Sequence, residues 1–347
     1  MEYPLNATTV VVHGPEIFDS GEAERILALF RPRRVIVAGV MARTAAEESG
    51  IPCEFDGRPP SRVIRDMSGP VFLANRGKTG ETGRVFGGMV ASRLGGRGLV
   101  HLECAAGIVF CWGNGDAVLA GALARCTGYA QEALPVPEPG EEDMRTIHGC
   151  LPGEAVYVNG IVIGTATGDP VVIAAKGGTV APVSGIDPKP HGIEKLERAG
   201  VTDIGTAWCK SGHIRAGLPQ QGEAARAAGR VLVIDHCGHD IYRLMPDDCC
   251  GVLAIGDDTT AVCGHVCSHR GIPVLGIVDG DIDVIVPSAF ARGSVVAEAV
   301  RERDDDLGRE IAGMVPGNTT DWHAWVGSVL GYLGSRVRIR LDLRKRP

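Results

Sequence analysis

Residues 251–283 read GVLAIGDDTTAVCGHVCSHRGIPVLGIVDGDID. Two short apolar runs, 252–255 and 273–278, each end in a burst of aspartates. The segment between them is about long enough for one crossover helix, so the stretch predicts strand, helix and strand in a parallel sheet. Ligands of such sheets bind beyond the carboxyl ends of the strands. Asp257, Asp258, Asp279, Asp281 and Asp283 are therefore expected along one edge of one sheet. Carboxylates gathered there repel one another unless protons or a divalent cation neutralise them, and the pattern predicts a hard cation with phosphate. Asp257-Asp258-Thr259-Thr260 falls where the first strand turns into the helix. That turn presents backbone N–H groups and a positive dipole end, which suit phosphate.

An earlier apolar run, 231–234, also ends in an aspartate, Asp235, followed by His236-Cys237-Gly238-His239, and these residues and Cys249-Cys250 are expected to border the acidic cluster. These histidines and cysteines form an alternative set of soft ligands for zinc or an iron–sulfur centre. Cys263, His265, Cys267 and His269 alternate along the crossover helix, where Cys263 and Cys267 share its apolar face with Val262 and Val266. Those two thiols are expected in the core, acting as small hydrophobes.

Working outward, the first 130 residues alternate strand and helix: strands at 8–12, 34–38, 71–74 and 99–103, helices at 42–49, 84–94 and 116–126. That order predicts a mostly parallel sheet with right-handed crossovers. His13 and Glu16 follow the first strand and lie at its carboxyl edge. Residues 75–88, NRGKTGETGRVFGG, follow a strand and precede a helix. Phe72 stands where a P-loop requires Gly, so a Walker A motif is excluded. An anion-binding loop of Lys78, Thr79, Gly80 and backbone amides remains, with a plain glycine-rich turn as its alternative.

Residues 131–144 are proline-rich and acidic and read as a linker. Asn159-Gly160 between 156–158 and 161–163 is a type I′ hairpin signal, and 145–190 reads as a small β module. From 191 to 347 the α/β rhythm resumes, with helices at 222–228, 305–314 and 322–332, and a basic terminal strand from Arg336. The fold class is α/β: two Rossmann-like, mostly parallel α/β blocks with a small β-rich module between them. The two blocks show no obvious sequence repeat.

Several function classes are excluded by composition. A net charge of −7 and 5% aromatic residues oppose a nucleic-acid groove or a base-stacking platform. No apolar run approaches the roughly 18 residues of a membrane span, and the first residues lack the regions of a signal peptide. The protein is expected in the cytoplasm, where its 11 cysteines stay reduced.

Two local resemblances follow from the acidic stretch. Gly256-Asp257-Asp258-Thr259, with Ile272-Pro273-Val274-Leu275-Gly276, is similar to the Gly-Gly-Asp-Gly-Thr signature of NAD and lipid kinases, although Asp258 replaces a glycine. In those kinases the aspartate works in phosphoryl transfer. Asp279-Gly280-Asp281 resembles the Asp-x-Asp element of Toprim metal domains, with Asp235 where they carry a glutamate. Over most of its length the chain resembles an uncharacterised conserved family of methanogenic archaea. The stretches VVHGPEI near the N-terminus, VNGIVIG, HGIEKL from His191, GDDTT and DGDID carry that resemblance. It implies a cytosolic, anaerobic setting and no particular reaction.

The residues together predict a Mg²⁺-dependent enzyme acting on a phosphorylated or nucleotide-like small molecule, by phosphoryl transfer or phosphoester hydrolysis. Asp257 and Asp258 are the expected catalytic groups. Thr259, Thr260, Lys78, Thr79 and Gly80 are expected to hold phosphate, and Asp279, Asp281 and Asp235 the metal. One alternative is a redox or metal-handling protein with zinc or iron–sulfur on His236, Cys237, His239, Cys249 and Cys250. Another is a non-enzymatic regulator binding a small anion. Neither nucleic acid nor membrane is an expected partner. A phosphorylated substrate bridged by metal needs a cationic grip as well as carboxylates, so Lys78 and Asp257 are expected across one cleft, within about 15 Å.

Overall fold

The computed structural model describes residues 3–138, 143–159, 161–176, 179–198, 200, 204, 207, 209–223, 226–280 and 289–344. The first block runs β1 (Thr9–His13), α1 (Glu16–Asp19), α2 (Glu22–Phe30), β2 (Arg34–Ala38), α3 (Val40–Ser49), β3 (Glu54–Asp56), α4 (Pro60–Arg65), β4 (Val71–Asn75), α5 (Gly80–Ser92), β5 (Leu99–Glu103), β6 (Ile108–Trp112), α6 (Ala117–Thr127) and β7 (Ala130–Leu134). Its sheet has the order β3-β2-β1-β4-β5-β6-β7, parallel except where β6 turns back on β5. The start β3-β2-β1-β4-β5 is the doubly wound order, with its switch point between β1 and β4. Every residue of β4 and β5 is buried, as expected for central strands covered on both faces.

The module comprises β8 (Met144–Ile147), β9 (Ala155–Val158), β10 (Ile161–Ala166), β11 (Val171–Lys176), β12 (Thr179–Ser184), β13 (Ile186–Pro188), α7 (Pro190–Arg198) and β14 (Cys209–Ser211). Two antiparallel sheets, β13-β10-β9-β14 and β12-β11-β8, close on a core of Val156, Ile163, Val171, Ile173 and Leu196. Asn159 takes the left-handed conformation (φ 49°) that the tight β9–β10 turn requires, and Val158 pairs with Ile161.

The last block runs β15 (Ala228–Asp235), α8 (Ile241–Leu244), β16 (Cys249–Ile255), α9 (Asp257–His269), β17 (Val274–Val278), β18 (Val295–Ala299), α10 (Asp304–Ala312), β19 (Thr320–Asp321), α11 (Trp322–Leu333) and β20 (Val337–Asp342). Its sheet has the order β19-β15-β16-β17-β18-β20: four parallel strands edged by two antiparallel ones. The basic terminal strand is thus an edge strand, β20, whose Arg338 and Arg340 pair with Glu298 of β18. Cys263 and Cys267 are fully buried on α9, in the core as their spacing predicts.

Several features depart from the sequence pattern. β6 and β7 were not anticipated, because a short antiparallel return carries no crossover signal. β7 occupies the start of the expected linker, so the chain leaves the first sheet only after Leu134. The module reaches past residue 190, since α7 packs on β10 and β14 pairs with β9. The helix expected at 222–228 does not form among the described residues there; β15 already begins at Ala228, and Gly222 lies against the backbone carbonyl of His269.

The two α/β blocks are structurally alike despite their dissimilar sequences. In each, three consecutive parallel strands lie side by side: β1, β2, β3 and β15, β16, β17. In each, the second strand enters its helix through a glycine of positive φ, Gly39 (φ 101°, ψ 146°) or Gly256 (φ 97°, ψ 152°). A histidine ring from the end of the first strand, His13 or His236, covers that glycine and crowds the place a Cβ would take. The equivalent helices α3 and α9 pack on each other, and Met41 of α3 joins the core beneath α9. Buried Arg215 ties the blocks further, donating to Asp19 and to Glu48 at 2.7 Å. Where the second copy carries Asp257 and Asp258, the first carries Val40 and Met41. The acidic chemistry belongs to the second block alone.

Candidate active site

The parallel strands β15, β16 and β17 end at Asp235, at Gly256-Asp257-Asp258 and at Asp279, so pairing in register brings these carboxylates to one edge. The first turn of α10 adds Asp304, Asp305 and Asp306. Acidic residues suit that end of the helix dipole. Asp304 is 1% exposed.

The first neutralising charge comes from the module. Lys195 of α7 reaches into the acidic edge, and its Nζ donates to Asp304 Oδ1 (2.7 Å) and Asp279 Oδ2 (3.3 Å) and lies 3.6 Å from Asp305 Oδ1. Burial disfavours its charged form, but Asp304, Asp279 and Asp305 outweigh burial and raise its pKa. Asp304 is itself pushed above the usual carboxylate range, by burial first, with Lys195 pulling it back.

A proton is the second. The Asp257 and Asp279 carboxyl groups hydrogen-bond to each other, which requires a proton on one of them. Burial, and then the hydrogen bond and charge of Asp279, push Asp257 well above the ordinary range. Burial also works against the charge on Asp279, but the hydrogen bond from Asp257 and the nearby Lys195 and Lys189 bring it down. Two neighbouring carboxyls driven in opposite directions are the arrangement that divides acid from base roles.

His236 closes the group. Its Nδ1 donates to Asp235 Oδ1 (2.6 Å), and its Nε2 lies 3.3 Å from Asp305 Oδ1. Burial lowers its pKa, and the Asp235 hydrogen bond and Asp305 charge more than offset that, leaving it raised. Two cavities meet at Asp257. The smaller is lined by Lys195, His191, His236, Asp257, Asp279 and Asp304. The larger is lined by Tyr157, His213, Asp257, Thr260, His265 and Arg340 among others.

Other expected site residues are placed differently. Asp258 does not share the cluster: it forms a 3.1 Å ion pair with Lys210 of β14, whose Nζ also lies over the Tyr157 ring. Burial raises the Asp258 pKa and lowers that of Lys210. That pair docks the module onto the last block. Thr259 and Thr260 are 2% exposed, and Thr260 packs over Gly276 of β17, so they seat the helix on the sheet and form no open phosphate cradle.

Lys78 is not an open anion grip. Its Nζ donates to both Glu154 oxygens (2.9 Å), to Ser211 and to the Gly149 carbonyl. Thr79 caps α5 reciprocally with Thr82, and Gly80 lies against Ala106. The Gly77 N–H is taken by Glu103. The Lys78 ammonium is taken up by the module, and Lys78 lines neither cavity at Asp257. The two strand-end edges instead meet through β14, where Ser211 binds Lys78 and the adjacent Lys210 binds Asp258. His13 likewise turns inward, its Nδ1 bonded to the Ala38 carbonyl and its ring stacked on Phe86.

The alternative soft-ligand set does not assemble. His239 is exposed and Cys237 half-buried beyond β15, while Cys249 and Cys250 open β16 at the end opposite Asp257. Seven strand residues separate those ends by about 20 Å. The Cys249 and Cys250 thiols donate to the Gly251 and Thr320 carbonyls, and burial raises the pKa of both. Asp281 and Asp283 lie outside the described residues. Lys195, Lys210, Asp304 and Asp305 were missed; the aspartate run 304–306 was the only legible hint, and it reads equally as a helix start.

No helix among the described residues is long and apolar enough to cross a membrane. No solved structure matches the chain. It is 30% identical over 325 residues to a protein of Methanocaldococcus jannaschii named "Uncharacterized protein MJ0065", covering 86% of this chain and 89% of that one. Residues 10–319 match the family described as "Uncharacterized protein conserved in archaea (DUF2117)", and the chain belongs to that family.

Proposed function

We propose that this protein is a divalent-cation-dependent enzyme acting on a phosphorylated or nucleotide-like small molecule, with Asp257 and Asp279 as its acid–base pair. The observation that carries the proposal is the pairing of buried Asp257, where two cavities meet, with half-buried Asp279, the two carboxyls being driven in opposite directions. In phosphoester hydrolysis, Asp279 accepts the proton of the attacking water as the new P–O bond forms. Asp257 donates its proton to the leaving oxygen as the old bond breaks. Phosphoryl transfer to a hydroxyl needs the same two proton movements. A cation is called for by charge: even with one proton on the pair and His236 charged, the carboxylates of Asp235, Asp257, Asp279, Asp304 and Asp305 outnumber Lys195, Lys189 and His236 by one. Arg340 and His213 line the larger cavity and suit a phosphate there.

A panel of phosphomonoesters, nucleotides and acceptor hydroxyls, assayed with Mg²⁺ and Mn²⁺, tests the proposal. Turnover lost in both Asp257→Asn and Asp279→Asn is the expected result. Turnover undiminished in those variants would overturn the acid–base assignment, and binding without turnover in wild type would favour a regulatory anion binder.

A further inference from the structure

We infer that the divalent cation is a first-row transition ion, of the Mn²⁺, Co²⁺ or Zn²⁺ class, held by His236 Nε2 and the carboxylates of Asp304 and Asp305. The inference rests on the proposed cation dependence and replaces the expected ligands Asp279, Asp281 and Asp235 with a different set.

One ligand atom from each of His236, Asp304 and Asp305 falls within 4.8 Å of the others. Two donors opposite each other on one ion, at bonds of about 2.0–2.2 Å, stand up to about 4.4 Å apart. A side-chain shift of a few tenths of an ångström therefore closes a first coordination shell. The ion has somewhere to sit, because His236 and Asp304 both line the smaller cavity.

A separate observation points to a missing ligand. Asp304 is 99% buried by the measure of its 1% exposure, and it lines that cavity. Its Oδ1 receives Lys195 Nζ (2.7 Å) and the Asp305 N–H (3.0 Å), whereas its Oδ2 has no hydrogen-bond partner among the described residues. A buried carboxylate oxygen without a donor is costly. A cation satisfies it where no donor does.

The histidine is already oriented for coordination. Its Nδ1–H is committed to the Asp235 carboxylate, so Nε2 is the atom facing Asp305. Carboxylate, histidine and metal in that sequence are a recurrent arrangement, in which the outer carboxylate fixes the tautomer and raises the ring's basicity. A nitrogen ligand among carboxylates favours transition ions over Mg²⁺, which prefers an all-oxygen octahedron. Asp279 stays out of the set because its ligand atoms do not fall within reach of that group, and Asp235 serves as the outer carboxylate.

Titration of metal-stripped full-length protein with Co²⁺, read by visible absorption, and with Mn²⁺, read by loss of the free-ion paramagnetic signal, tests the site. Wild type should bind one equivalent. Asp304→Asn, Asp305→Asn and His236→Gln should each weaken binding at least 10–100-fold, the range already seen for outer-shell losses. Asp306→Asn, in the same helical turn but paired with Arg309, should bind as wild type does. Asp257→Asn should keep the ion and lose turnover, which separates failure of the metal site from failure of the acid–base assignment. If Asp304→Asn does not fold, half-exposed Asp235→Asn decides, with an expected 10–100-fold weakening. No binding in wild type, or unchanged binding in Asp235→Asn and the ligand variants, would overturn the inference.

Discussion

Replacing Lys195 with methionine tests how the acidic edge is held together. The side chain is 11% exposed and lies between Asp304 (1%) and Asp279 (18%), so methionine keeps the volume and removes only the charge. Breaking a buried ion pair by removing one partner costs about 3–5 kcal/mol, because the remaining charge stays buried and uncompensated. At about 2 °C per kcal/mol for a large unit, Tm should fall by roughly 6–10 °C near pH 8. The deficit should depend on pH in a definite direction. In wild type the raised Lys195 pKa keeps the ammonium charged throughout the accessible range, so it contributes no slope there. In the variant, Asp279 and Asp304 lose their cation and their folded pKa values rise. A carboxylate raised on folding binds more protons folded than unfolded, so stability falls as pH rises through the shifted value. The deficit should therefore be smaller at pH 5.5 than at pH 8. Thermal unfolding followed by circular dichroism at both values reads it. Equal Tm for variant and wild type at pH 8, or a deficit identical at both pH values, would refute the reasoning.

His265, buried on α9, has its pKa lowered to about 4, by burial first and by Arg215 second. The unfolded chain takes up its proton near pH 6.5 and the folded chain only near 4, so the histidine's contribution is full above 6.5 and lost progressively between those values, by up to about 3 kcal/mol. His265→Gln should flatten the loss of stability between pH 7 and pH 4.5 measured by urea unfolding; an unchanged slope would contradict this. Gly251 in β16 faces the ring of buried Trp322, which leaves no space for a Cβ. Gly251→Ala should cost about 1–3 kcal/mol through overpacking, read as a lower urea midpoint, and a neutral result would show that Trp322 yields easily.

The strand–helix–strand rhythm was legible because it is local. β2 and β5 match their predicted ranges residue for residue, and apolar runs ending in aspartate announced β16 and β17 together with the edge they reach. Asn159-Gly160 announced its hairpin for the same reason, since a positive φ is a property of one or two residues. β6 was not legible: an antiparallel return over five residues leaves no periodic trace, and only its pairing with β5 defines it.

The aspartates after β16 and β17, the histidine after β15 and the class of fold were determined by the sequence itself, through strand period and turn chemistry. What neutralises those aspartates was decided only by tertiary structure. Lys195 stands 84 residues before Asp279 and 109 before Asp304, and nothing in its own helix marks it as their partner. Asp257 and Asp258 are adjacent in sequence and receive opposite fates, one paired with the carboxyl of Asp279 and the other fixed to Lys210. Successive residues of a helix's first turn point in different directions, and what waits in each direction is set by strands and helices folded from elsewhere in the chain.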